Sequence, residues 1–248
     1  MEVQAVTGAT GEELQQLEDA AREVGRTTNK SASEAAEGFK LMGQAGWDVA
    51  ESQMALEPLV KLSTSGNLDL AKSTDLLVNG LATMGMESSE TERYLDILAK
   101  TANSVNTDIG DLGEAFIAVG GRFNTLGIEA EEGAKSLGVL AEAGITGSQA
   151  GKSLNAILAN LTAPAGRAKQ ALDELGVSVF DSNGEFIGIE ETMKLVEQSM
   201  DGMTQEQKNM YMSMIAGKEH TAGFTAMMNG LGGTFDDLGN EIANSEGA

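Results

Sequence analysis

Residues 31–48 read Ser31-Ala32-Ser33-Glu34-Ala35-Ala36-Glu37-Gly38-Phe39-Lys40-Leu41-Met42-Gly43-Gln44-Ala45-Gly46-Trp47-Asp48, and their order decides the fold class. Ser31 and Glu34 form a helix-start pair. The serine oxygen accepts an orphan N–H of the first turn, and the carboxylate reaches back to the cap. An apolar stretch of period three to four follows. Gly46 then stops it, with Trp47 placed to pack back on the last turn. Asp48 with Glu51 opens the next helix at once.

The same grammar recurs on both sides. Further start pairs stand at Thr10/Glu13, Ser89/Glu92, Thr146/Gln149 and Thr204/Gln207. Glycine followed by an apolar residue returns at Gly85-Met86, Gly127-Ile128, Gly144-Ile145 and Gly176-Val177. Between them, Leu14, Leu17, Ala21 and Val24 share a helical face, as do Leu70, Thr74, Leu77, Leu81 and Met84. Leu112, Phe116, Val119 and Phe123 repeat the spacing, and Leu154, Ile157, Leu158 and Leu161 form the strongest stripe, ended by Pro164. Pro58 is expected to split the helix near residues 49–65. The fold expected is mainly α: a compact multi-helix bundle of short glycine-terminated helices. Gly46, Trp47, Gly85, Gly144, Ile145 and Gly176 are its candidate helix-end residues. The likeness of Leu41–Trp47 to Leu140–Ile145 reads as shared helix-end chemistry rather than as a duplication.

One segment breaks the pattern. Val177-Ser178-Val179-Phe180, Asp181-Ser182-Asn183-Gly184 and Glu185-Phe186-Ile187-Gly188-Ile189 read as a small β-hairpin near 177–189, turning at Asn183-Gly184. It marks the expected division between an N-terminal helical body, 1–176, and the hairpin plus C-terminal helices, 177–248, the two packed as one unit. The ends, Met1–Ala9 and Asn244–Ala248, are expected to be loose.

Composition narrows the function. The 248 residues carry a net charge of −22, with 16 basic against 38 acidic side chains, the opposite of a phosphate-binding surface. Without cysteine, disulfides, thiolate metal sites and a cysteine nucleophile are excluded. Aromatics at 4% are few for a β-sandwich, and 31 glycines beside 2 prolines suit many short helices. No apolar run approaches the roughly 20 residues that span a bilayer, and Met1-Glu2-Val3 lacks the basic flank of a signal peptide, so the chain reads as soluble.

Tests for chemistry return structural readings. Gly230, Gly232 and Gly233 belong to no phosphate-loop pattern. Asp181, Asn183, Gly184 and Glu190 fall at EF-hand positions, but Val179 stands where the first ligand belongs. His220 is the only histidine, which rules out zinc sites needing two imidazoles. Successive members of the run Met210, Met212 and Met214 point about 200° apart on a helix, so the three do not converge; Met210, Tyr211, Met214 and Ile215 read as core or partner surface. No carboxylate pair stands out. No catalytic, cofactor-binding or metal residue is assigned, and no enzyme emerges.

Taken in order, several blocks resemble the core region of phage tail tape measure proteins. They begin at Thr7-Gly8-Ala9-Thr10-Gly11-Glu12-Glu13-Leu14 and Ala21-Arg22-Glu23-Val24-Gly25, then run from Ser31 to Phe39 and through Ala45-Gly46-Trp47-Asp48. Leu112-Gly113-Glu114-Ala115-Phe116, the stretch Ala143 to Gly151, Leu172-Asp173-Glu174-Leu175-Gly176-Val177 and Ile215-Ala216-Gly217-Lys218-Glu219 continue the series. The resemblance implies a virion component of a phage or prophage, and a fragment of a longer chain. It implies action in tail assembly and tail-length determination by docking to other tail components. The partners implied are tail tube and tail tip or initiator proteins, tail assembly chaperones and other copies of the full-length protein. The locations implied are the tail tube lumen or tip, and the host cytoplasm during assembly. No nucleic-acid binding is expected here, and membrane contact only through other parts of the chain. The rival reading is a cell-wall hydrolase or an envelope-perturbing delivery module; for the latter, Phe224-Thr225-Ala226-Met227-Met228 with Leu231 is the only apolar face to consider. Helices stopped so often by glycine are not the uninterrupted heptads of a coiled-coil ruler.

Overall fold

Ser31, Asp48 and Thr204 each close a full capping box: the side chain takes the N–H three residues on, and that residue's side chain takes the cap N–H. The computed structural model describes residues 2–243, and among these it contains fourteen α-helices, one 3-10 turn and no strand. Asn244–Ala248, expected to be loose, lie outside the described residues. The chain forms two compact units, Met1–Ala99 and Lys100–Ala248. The 177–189 segment lies inside the second.

The first unit holds α1 (Glu2–Thr7), α2 (Glu12–Thr27), α3 (Ala32–Gln44), α4 (Val49–Ser65), α5 (Leu70–Met84), the 3-10 turn Ser88–Glu90 and the first part of α6 (Thr91–Ser104). Its centre is α3, packed against α1, α2, α4 and α5. Phe39 and Met42 of α3 are buried with Leu70, Leu76, Leu77 and Leu81 of α5. Of the N-terminal segment expected to be loose, Met1 lies outside the described residues and Glu2–Thr7 are helical. They form α1, which docks where Gly43 has no side chain: a Cβ there would stand 2.7 Å from Thr7 Cγ2, and Ala9 behind it is buried.

Pro58 does not split α4, which runs unbroken from Val49 to Ser65. A proline removes one hydrogen bond, here to the Met54 carbonyl. Met54 is 63% exposed, so the lost bond falls on the solvent side of α4, while Ala55, Leu56, Leu59, Val60 and Leu62 hold the other face in the core.

The second unit holds α7 (Ile109–Leu126), α8 (Ala130–Glu142), α9 (Gly147–Thr162), α10 (Gly166–Leu175), α11 (Ile189–Ser199), α12 (Gln205–Ala216), α13 (Thr221–Asn229) and α14 (Thr234–Ala243). The pair α7 and α9 forms its axis. At Gly151 the two backbones come so close that a Cβ would strike the Ala115 carbonyl oxygen and stand 2.7 Å from Ala118 Cβ.

The expected hairpin is corrected to a turn. Phe180 and Phe186 make a single isolated antiparallel bridge. The Asp181 carboxylate accepts the backbone N–H groups of Asn183 and Glu185 at 2.8 and 2.9 Å, closing residues 181–185 by a side chain. Upstream, the Val177 N–H returns to the Leu172 carbonyl; downstream, Gly188 at φ +94° swings the chain into α11. Only the Asp181 N–H to the Glu185 carbonyl, at 2.9 Å, and the Ile187 N–H to the Val179 carbonyl, at 3.1 Å, cross between the arms, too few for a ladder.

Candidate docking surfaces

The helix-end residues build the frame on which any surface rests. Gly85 and Gly144 sit at φ +70° and +78°, left-handed values that a Cβ disfavours. There the N–H of the following residue reaches back to the last turn, Met86 to the Leu81 carbonyl and Ile145 to the Leu140 carbonyl, both at 2.9 Å. The same bond follows Gly46, Gly127 and Gly176, through Trp47, Ile128 and Val177. Trp47 and Ile145 are half-buried. Asn183 and Gly184, at φ +82°, form the exposed tip of the Asp181 turn.

The residues tested for chemistry are dispersed. His220 is half-buried at the start of α13, its carbonyl accepting from Phe224. The Asp181 carboxyl is held below the usual carboxylate range, chiefly by the Glu185 N–H. Glu190 is likewise held down, first by Lys194 at 2.7 Å and then by Lys135 at 3.2 Å. Oxygens engaged in this way serve the turn and α11. Among the described residues no group of three or more His, Cys, Asp or Glu is placed to hold a metal ion, and no helix is long and apolar enough to cross a membrane. Phe224, Met227 and Met228, the apolar face considered for envelope contact, are buried. On α12 the buried set is Met212, Met214, Ile215 and Ala216; Met210 is exposed, and the Tyr211 hydroxyl donates to Glu174 at 3.0 Å.

Clefts among the described residues offer surfaces. In the first unit a groove of about 290 Å³ runs beside Val3, Leu17, Ala21 and Phe39, with Glu18 and Arg22 on its wall. In the second unit a polar cleft of about 400 Å³ is bordered by Asn103, Ser104, Glu142, Asp237 and Glu241. Another, of about 590 Å³, lies where the end of α7 meets the Asp181 turn, lined by Asn124, Thr125, Leu126, Phe180, Glu185 and Phe186. Phe180 and Phe186 belong to the sequence-read hairpin. Their meeting with Thr125 and Leu126 had no local signal.

Comparison with known proteins agrees with a tail role. The chain is 32% identical to the tape measure protein of Pneumococcus phage Dp-1, over 99% of its own length and 21% of that relative. It is 29% identical to the probable tape measure protein of Escherichia phage P2, over 99% of its own length and 31% of that one. It thus spans under a third of either relative. No solved structure matches it. The model of the phage-related minor tail protein family covers residues 18–217, and the chain belongs to that family of virion tail components.

Proposed function

We propose that this segment acts in tail assembly and tail-length determination as a structural module gripped by other tail components. The observation that carries the reading is the match over 99% of the chain to proteins named tape measure proteins. Helix length supports docking as its task. The longest helix among the described residues, α7, has 18 residues and extends only about 27 Å, so measured length is supplied by other parts of the full protein. Its partners are tail tube and tip or initiator proteins, assembly chaperones and further copies of the full-length protein. It meets them in the host cytoplasm during assembly and stays in the tube lumen or tip.

At net charge −22, such partners present basic patches, and added salt weakens the complex. The test is a phage whose tail protein lacks this segment. Tails that are fewer or abnormal in length under electron microscopy are expected; normal number, length and infectivity would refute the reading.

A further inference from the structure

The cleft where α7 ends combines three features that attract a cation. Phe180 and Phe186 stand edge to face, centroids 6.3 Å apart at 68°, and Phe180 is 37% exposed, so ring surface is offered to the cleft. The chain leaves α7 at Gly127, whose N–H bonds back to the Phe123 and Asn124 carbonyls. The Thr125 and Leu126 carbonyls lie beyond the reach of the helix's own donors, at its negative end. Glu185, exposed, adds a carboxylate to the wall.

We propose that this cleft receives an arginine or lysine side chain from a basic, partly apolar segment of a partner protein, a docking point that rests on the tail role above. The ring faces attract a cation through their quadrupole. The carboxylate and helix-end carbonyls supply acceptors for its N–H groups. A purely apolar segment would cover the rings but strip water from Glu185 and the carbonyls without return. An acidic segment would meet both Glu185 and the chain's net charge of −22.

The experiment titrates the 15N-labelled chain at low salt with the peptide Ac-Arg-Leu-Arg-NH2, and separately with its citrulline counterpart. Saturating amide shifts centred on Gly127, Gly184, Glu185 and Phe186 are expected with arginine and not with citrulline. Phe180→Ala and Glu185→Gln, both at exposed positions, each weaken binding roughly threefold or more, while Glu12→Gln, exposed in the first unit, leaves it unchanged. Shifts spread evenly over the acidic surface, equal binding of citrulline, or full binding by Phe180→Ala and Glu185→Gln would each overturn the proposal. The two readings fail separately. A phage carrying Phe180→Ala that assembles normally, beside a segment deletion that does not, removes the cleft and keeps the tail role.

Discussion

The Glu132 carboxylate of α8 accepts the Ile189 backbone N–H at 2.6 Å, so one helix supplies the N-terminal cap of another. The need arises locally. Position 188, before α11, is a glycine with no side chain to cap with, and Glu132 fills that role from a distant part of the chain. Glu132→Ala leaves an orphan donor, and a loss of about 1–2 kcal/mol is expected in urea unfolding. Glu132→Gln retains an acceptor oxygen and loses less. Hydrogen exchange at the first-turn amides of α11 rises in the alanine variant.

Glu190, gripped by Lys194 and Lys135, carries a pH dependence. Its carboxyl is lowered in the folded chain, so the stability it contributes is fully present above its unfolded value, about 4.3. That stability is lost as pH falls through the lower folded value. Urea unfolding of the parent chain and of Glu190→Gln, followed from neutral pH downward, is expected to differ most near neutrality and to converge as pH falls through the lowered folded value.

Gly80 and Tyr94 present opposed forces at one position. Alanine inside α5 gains about 1 kcal/mol in helix propensity over glycine. A Cβ at Gly80, however, would stand 2.6 Å from Tyr94 Cζ, and that ring is fully buried. Overpacking wins, so Gly80→Ala is expected to destabilise by about 2 kcal/mol net. Shrinking the ring by Tyr94→Leu in the same chain recovers part of the loss, a coupling that a double-mutant cycle measures.

Gly151 and Gly121 separate packing from propensity within the α7–α9 pair. Gly151→Ala drives a methyl into the Ala115 backbone, which has no rotamer to yield, and a loss above about 2 kcal/mol is expected. Gly121, exposed within α7, has nothing within 4 Å of its Cβ position. Gly121→Ala is expected to stabilise by about 0.5–1 kcal/mol. Thermal melts of the two variants move in opposite directions.

Legibility followed locality. At Ser31, Asp48 and Thr204 a start pair needs only its own turn, and all three close. Where neighbouring groups compete, the start shifts. Glu87 and Glu90 take the position read for Ser89 and Glu92, and Gly11 stands at the cap while Glu13 accepts from the Thr10 N–H. Thr146 has the extended backbone of a cap without its side-chain bond. The alternation around Asn183-Gly184 looked like strands because period and turn chemistry are short-range, whereas a ladder needs pairing beyond the one bridge that Phe180 and Phe186 make. The cleft beside Phe180 was not legible, since Thr125 and Leu126 reach it only through folding.

The sequence alone therefore determined helical class, several helix starts and the glycine stops, because capping and left-handed turns involve atoms a few residues apart. Tertiary structure decided which interior glycines are notches, as at Gly80 and Gly151, that α11 takes its cap from Glu132, and that Pro58 stays inside α4. Those outcomes depend on which atoms arrive from distant parts of the chain, and on which face of a helix meets water. No run of neighbouring residues encodes either.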